Sequence, residues 1–299
     1  MRNAMNPESK PRRITIILPA RDEAQALPAC LQGIRAVLPE AEVIVVDDGS
    51  TDATADIARE HGARVISHAY SKGNGAAVKT GARAATGEFL VFMDADGQHR
   101  PEDIPRLLAK LEEGYDMAVG ARGLQDHAGA HRGIANTIFN LMASWMVNHR
   151  VEDLTSGFRA VRAERFRRFL YLLPNSFSYP TTCTMSFFRA GFGVAYVPVS
   201  MPPRIGRSHI RPLRDGVRFI LIIIKIGTLY SPLKLFLPVA GAFLATGLGY
   251  YLYTYLALHR FTNMSALLLT TAVLVFLIGI VSEQISAMMY KDSESDRPD

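Results

Sequence analysis

Two long apolar runs near the C-terminus, residues 233–258 and 264–281, constrain this chain most. The first carries a single charge, Lys234, and the second none. As helices rising roughly 1.5 Å per residue, both are long enough to cross about 30 Å of hydrocarbon. Residues 259–263 leave room only for a tight reversal, so the pair predicts a transmembrane hairpin with both chain ends on one side. Arg204, Arg207, Arg211, Arg214, Arg218, Lys225 and Lys234 lead into the first run, whereas the reversal offers only Arg260. Positive flanks stay inside, which predicts a multi-pass protein of the cytoplasmic membrane. Between 211 and 230, Val217 and Phe219 to Ile224 are interrupted by Arg218 and Lys225. That mixture predicts an amphipathic interfacial helix rather than a third span.

Upstream, the pattern changes. Short β-branched runs at 14–18, 42–47, 63–67, 88–94 and 117–120 alternate with amphipathic stretches of helical period. The fold class expected is α/β, a Rossmann-like, mostly parallel sheet with helices on both faces. Helices are expected over 133–148, 163–173 and 181–190, a loop or strand over 153–161, and Pro198, Pro202 and Pro203 punctuate the exit. The domain plan is a disordered tail over 1–13, a catalytic domain over 14–210, the interfacial helix over 211–230, the hairpin over 231–290 and a cytoplasmic tail over 291–299.

The formal charge of +5 and the pI near 9.2 suit an anionic membrane surface or phosphate-bearing substrates. No dense Lys/Arg block with interleaved aromatics marks a nucleic-acid face, so nucleic acid is not an expected partner. Cys30 and Cys183 are far apart and fit neither a zinc spacing nor a disulfide framework. The N-terminal MRNAMNPESKPRR lacks an apolar stretch, which predicts no cleaved leader.

Open α/β sheets bind ligands beyond the carboxyl ends of their strands, so PARDE after the first strand and DDGSTD after the second should share one rim, with Asp94 at the end of another strand. FMDADGQH places Asp94 and Asp96 two residues apart after an apolar run. Carboxylates so spaced can converge on a hard cation, Mg²⁺ or Mn²⁺, with the Gln98 amide oxygen adding to the set. In VDDGSTD, Asp47 or Asp48 is placed to accept hydrogen bonds from a nucleoside, although a capping turn explains the motif equally. In YSKGNGAAVKTG, a glycine-rich turn and Lys72 precede a helix, a suitable place for an anion.

PARDEA, VDDGSTD, KGNGAAVKTG and DADGQH, in this order and spacing, resemble the family 2 glycosyltransferases of GT-A fold. The resemblance covers residues 14–122. It implies that Pro19, Arg21, Glu23, Asp47, Asp48, Lys72 and Asp94 line the nucleotide-sugar site, while Asp94, Asp96 and Gln98 hold the metal. GAR at 120–122, DLTSGFRAVR at 153–162 and RIGRSHIRPLRDGVRFI at 204–220 are similar to the polyprenyl-phosphate branch, which includes dolichol-phosphate mannose synthase and undecaprenyl-phosphate glycosyltransferases. That narrower resemblance implies Arg122, Arg132, Asn136, Arg207 and Ser208 for the acceptor phosphate, and Asp96, Asp153 and Arg204 as catalytic, with Asp153 orienting the sugar or stabilising an oxocarbenium-like centre. Two departures stand out: His209 follows Ser208 where the branch often has lysine, and Asn136 occupies a place where serine is common.

The chemistry agrees. A lipid monophosphate, with a second pKa of about 6, is largely dianionic at neutral pH and attacks without a general base. It needs cationic docking, which arginines supply through charge-assisted, often bidentate hydrogen bonds. The expected reaction is an inverting hexose transfer from a GDP-mannose or UDP-glucose type donor to undecaprenyl or dolichyl phosphate. The hairpin also offers a surface for homo-oligomer contacts. Two alternatives are weighed. A processive polysaccharide synthase would carry Gln-x-x-Arg-Trp, but Trp145 follows Ala143 and Ser144. A non-catalytic nucleotide-sugar-binding scaffold would not need Asp94, Asp96 and Lys72 together.

Overall fold

A computed structural model describes residues 12–122, 130–176, 178–200 and 227–291. Among these, the chain divides into two compact units, Met1–Ser144 with His149–His209, and Trp145–Asn148 with Ile210–Asp299.

The first unit is built on a seven-stranded sheet of order β3-β2-β1-β4-β6-β5-β7. Its strands are β1 (Ile14–Ala20), β2 (Glu42–Asp47), β3 (Arg64–Ser67), β4 (Phe89–Phe92), β5 (Met117–Arg122), β6 (Arg159–Arg162) and β7 (Val194–Val199). Only β6 runs antiparallel, against both β4 and β5. Strands β1, β2 and β4 are nearly all buried because both sheet faces are covered, which is why they read as continuous apolar runs.

The flanking helices are α1 (Leu27–Val37), α2 (Thr54–Glu60), α3 (Asn74–Ala84), α4 (Ile104–Glu112), α5 (Ala130–Val147), α6 (Ala163–Arg167) and α7 (Tyr179–Arg189). In α1, Leu27, Cys30, Leu31 and Ile34 form one buried stripe, and in α4, Ile104, Leu107, Leu108 and Leu111 do the same. Helix α3 lies so close to the sheet that a Cβ on Gly81 would stand 2.4 Å from Ile17 Cγ2. Gly81→Ala should therefore cost about 1–3 kcal/mol by overpacking, read as a lower denaturation midpoint than wild type. An unchanged midpoint would show that α3 can retreat freely.

Four sequence expectations shift. The run over 88–94 leaves the ladder after Phe92, so Asp94 stands on a turn, not a strand. The segment 153–161 resolves into a turn followed by β6, which begins at Arg159. Strand β7 was masked by Pro198, read as punctuation; proline is tolerated there because β7 lies at the sheet's edge. The helix expected over 163–173 stops at Arg167 and continues in tight turns, with Phe169 and Leu172 donating to carbonyls three residues back. Helix α7 is polar in sequence yet buried, since Thr182, Thr184 and Ser186 satisfy their hydroxyls on carbonyls four residues back.

In the second unit, α8 (Pro232–Leu258) and α9 (Asn263–Lys291) form an antiparallel pair, with Gly247 against Leu268 and Leu269 and Gly279 against Phe236. Both helices are long and apolar enough to cross a membrane, and few of their residues are buried. Small residues at the contact let the backbones approach. Glu283, which as a sequence feature suits the inner headgroup layer, accepts from the Leu233 N–H at 3.2 Å, placing negative charge at the amino end of α8. Lys234 Nζ donates to the Trp145 and Met146 carbonyls, both at 3.0 Å, and to Asn148 Oδ1 at 2.8 Å. Residues 227–230 are helical, but 211–226 of the expected interfacial helix lie outside the described residues, as do Arg204, Arg207 and Ser208.

Candidate active site

All strands but β6 point their carboxyl ends to one rim, and the turn that enters β6 meets them there. The PARDE, DDGSTD, SKGNG, DADGQH and DLTSGF segments therefore converge, as the crossover order requires.

At the β1 and β2 ends, two loops are laced together. Asp22, held at φ 54°, accepts from the Thr51 N–H at 2.7 Å, while its own N–H donates to Ser50 Oγ at 3.0 Å. The Glu23 N–H donates to Thr54 Oγ1 at 2.9 Å, and the Arg21 guanidinium reaches Ser71 Oγ at 3.0 Å. Pro19 is buried in β1, in register with Val46 of β2.

The two neighbouring aspartates have different fates. Asp47 accepts the Ser50 N–H at 2.9 Å. Asp48 is saturated by protein: His68 Nδ1 and Ser71 Oγ stand at 2.7 Å, and the Lys72 and Gly73 N–H groups at 2.8 Å. Burial opposes its ionisation, but the bonds from His68, Lys72, Ser71 and Gly73 outweigh this and hold its carboxyl below the usual range. Four donors thus already engage the carboxylate that the sequence offers as a nucleoside ligand.

A Cβ on Gly73 would meet the Asn175 carbonyl at 2.4 Å and one on Gly75 the Pro174 carbonyl at 2.1 Å. The Ala76 N–H at the start of α3 donates to the Asn175 carbonyl at 3.2 Å. These glycines admit a neighbouring backbone, and it engages one amide in the first turn of α3. Lys72 itself stays exposed, its ammonium 5.7 Å from the Tyr70 ring centre.

The DADGQH turn presents Asp94 with 35% of its side chain exposed, while Asp96 is buried and accepts the Gln98 N–H at 3.1 Å. The Asp94 N–H donates to His99 Nδ1 at 2.9 Å, and the His99 ring stacks on Phe158 with centres 4.9 Å apart. Burial, against the pull of Asp94 and Asp96, keeps the His99 pKa below its ordinary value, so the ring is neutral. Beneath the turn, burial and the two aspartates push the Cys30 thiol up to about 12, making it an inert packing group.

Opposite, Arg122 forms a bidentate pair with Asp153, Nε to Oδ2 at 2.8 Å and Nη2 to Oδ1 at 3.0 Å. Asp153 is 1% exposed and also accepts the Thr155 and Ser156 N–H groups at 3.1 Å. Burial resists its charge, but Arg122 prevails and lowers its pKa. Both oxygens of Asp153, the residue expected to act on the sugar, are engaged by Arg122 and by its own turn. Arg132 and Asn136 lie on the helical backbone of α5.

Three residues that sequence reasoning passed over shape this rim: His99, Gly157 and Arg159. Each stood inside a motif already singled out, DADGQH or DLTSGFR, but without a role of its own.

Two aspartates on one rim turn, an arginine across from them and an apolar hairpin now meet the comparisons with known proteins. Residues 15–189 match the model described as Glycosyl transferase family 2. The chain belongs to that family. Residues 231–288 match the GtrB C-terminal hairpin. The Haloferax volcanii glycosyltransferase AglJ is 30% identical over 81% of this chain and 81% of its own length. The Micrococcus luteus undecaprenyl-phosphate mannosyltransferase is 31% identical over 66% of this chain and 87% of its own length. Among solved structures, glucosyl-3-phosphoglycerate synthase from Mycobacterium tuberculosis, crystallised with Mn²⁺, UDP and glucosyl-3-phosphoglycerate, superposes with a TM-score of 0.58 at 22% identity, over 72% of this chain and 78% of that one. This glycosyltransferase therefore has the GT-A fold, followed by two helices able to span a membrane.

Proposed function

We propose that this family 2 glycosyltransferase moves a hexose from a nucleotide sugar, of GDP-mannose or UDP-glucose type, to a polyprenyl monophosphate at the cytoplasmic membrane face, with inversion at the anomeric carbon. The observation that carries the reading is the half-open Asp94 carboxylate beside buried Asp96, on the same rim as a partly exposed Arg122, in a chain with an apolar hairpin. The relatives named for undecaprenyl-phosphate mannosyl transfer and for polyprenol monophosphomannose synthesis support the acceptor class. The reading assigns residues 14–210 to catalysis, 211–230 to an interfacial helix and 231–290 to membrane anchoring.

The donor set fits a hard divalent cation. Asp94 and Asp96 offer carboxylate oxygens and Gln98 an amide oxygen, and among the described residues no group of three or more His, Cys, Asp or Glu side chains could hold a metal. A short protein set suits Mg²⁺ or Mn²⁺, which share their shell with substrate phosphates. When bound, the cation supplies Lewis acidity that stabilises the departing nucleoside diphosphate. The chain's own groups do the rest. Asp47, with Pro19, Arg21 and Glu23, lines the nucleoside end, and exposed Lys72 reaches the diphosphate. Arg122 turns its remaining Nη1 toward the acceptor phosphate, held by Asp153 at its other edge. Arg132, Asn136, Arg207 and Ser208 are assigned to the acceptor phosphate, and Arg204 is assigned a catalytic role.

Membranes containing the chain, incubated with a panel of radiolabelled nucleotide sugars, test this. Label should pass into solvent-extractable lipid with one donor, and acid should release it as free sugar. Label in insoluble polymer would indicate a polysaccharide synthase, and no turnover with any donor would indicate a binding scaffold; either defeats the proposal.

A further inference from the structure

The turn that enters β6 is held at three successive carbonyls. The Arg159 guanidinium, fully buried, donates to the Ser156 carbonyl and, at 3.0 Å, to that of Pro180. The Tyr179 hydroxyl donates to the Gly157 carbonyl at 3.4 Å, and the Gly120 N–H donates to that of Phe158 at 2.9 Å. A backbone fixed at every step cannot easily yield. The nearest neighbour of Gly157 on its Cβ side is the Asp94 carboxylate: a Cβ there would stand 3.1 Å from Oδ2. On the other side, His99 accepts the Asp94 N–H at 2.9 Å, lies flat on Phe158, and presents Nε2 4.0 Å from Asp94 Oδ2. Asp94 is thus bracketed by one rigid segment, directly through Gly157 and indirectly through the His99–Phe158 stack.

We infer that Gly157 and His99 are positioning residues which fix the rotamer of Asp94 and so set this chain's affinity for its divalent cation. The inference rests on the metal role given to Asp94 above. Groups that orient a first ligand without touching the metal commonly change affinity about 10–100-fold when replaced. A methyl on Gly157 meets a carboxylate backed by its own turn, so the carboxylate must move by a few tenths of an ångström. Loss of the His99 acceptor leaves the Asp94 N–H without its partner and removes the ring that spaces Phe158 from the turn.

The test uses the full chain in detergent, with free Mn²⁺ followed by electron paramagnetic resonance in the presence of UDP or GDP. Gly157→Ala and His99→Leu should each weaken Mn²⁺ binding about tenfold. His99→Asn, which keeps an acceptor near the Nδ1 position, should recover much of it. Excess Mn²⁺ should restore lipid labelling in both weakened variants. Unchanged Mn²⁺ affinity in His99→Leu and Gly157→Ala, with native melting curves, would overturn the inference, and so would a wild-type chain that binds no Mn²⁺ with either nucleotide. If Gly157→Ala does not fold, the His99 pair decides. A wild type that binds Mn²⁺ but labels no lipid would sink the proposed acceptor and leave this inference standing.

Discussion

Asp96→Ala should remove transfer of label from nucleotide sugar to lipid, by at least roughly 100-fold, while membrane insertion and the melting curve stay as in wild type. The magnitude follows from losing several kcal/mol of leaving-group stabilisation at about 1.36 kcal/mol per tenfold. The selectivity follows from position. Asp96 lies beyond the carboxyl end of β4, outside the strand and helix ladders, where it accepts the Gln98 N–H two residues on. Turnover within twofold of wild type, in extracted membranes with defined Mn²⁺, would remove Asp96 from the metal site.

Asp153→Asn should act differently, by destabilising the fold at the rim as well as lowering activity. Removing one partner of a buried ion pair leaves the other charge uncompensated and costs about 3–5 kcal/mol. The lower end applies, since 29% of the Arg122 side chain still meets solvent. Stability would be read from the denaturant midpoint. A midpoint at the wild-type value with lost activity would instead return Asp153 to direct contact with the sugar. The same pair predicts a pH dependence. Asp153 and Asp48 both have folded-state pKa values below the ordinary 3.8, so each contributes stability that is complete above about pH 4. That contribution declines as pH falls through the depressed folded values. Asp153→Asn should flatten this acid limb, and an identical acid profile in the variant would show that Asp153 is not its source.

Much of the architecture was legible in order. β-branched runs at 14–18 and 42–47 sit where strands form, because buried parallel strands leave continuous apolar sequence. The two hairpin helices were equally plain, since crossing hydrocarbon demands length and apolarity that few other elements need. Strand β7 was hidden by Pro198, whose meaning depends on lying at a sheet edge, and α7 by its hydroxyl residues, whose burial depends on carbonyls one turn away. Neither condition is local in sequence.

For the site, residue types and spacing set the expectation: hard oxygen donors at 94 and 96, cations for phosphate, and two helices apolar enough to cross a membrane. Tertiary structure decided which of those groups remain free to act. Asp47 and Asp48 are adjacent and chemically identical, yet four donors from elsewhere in the fold occupy only Asp48. Gly73 and Gly75 make room for residues 174–176, and Asp153 is engaged by Arg122. A carboxylate's valence is written in its residue type, but its availability is the balance left after every neighbour has bonded, and those neighbours are assembled only by folding.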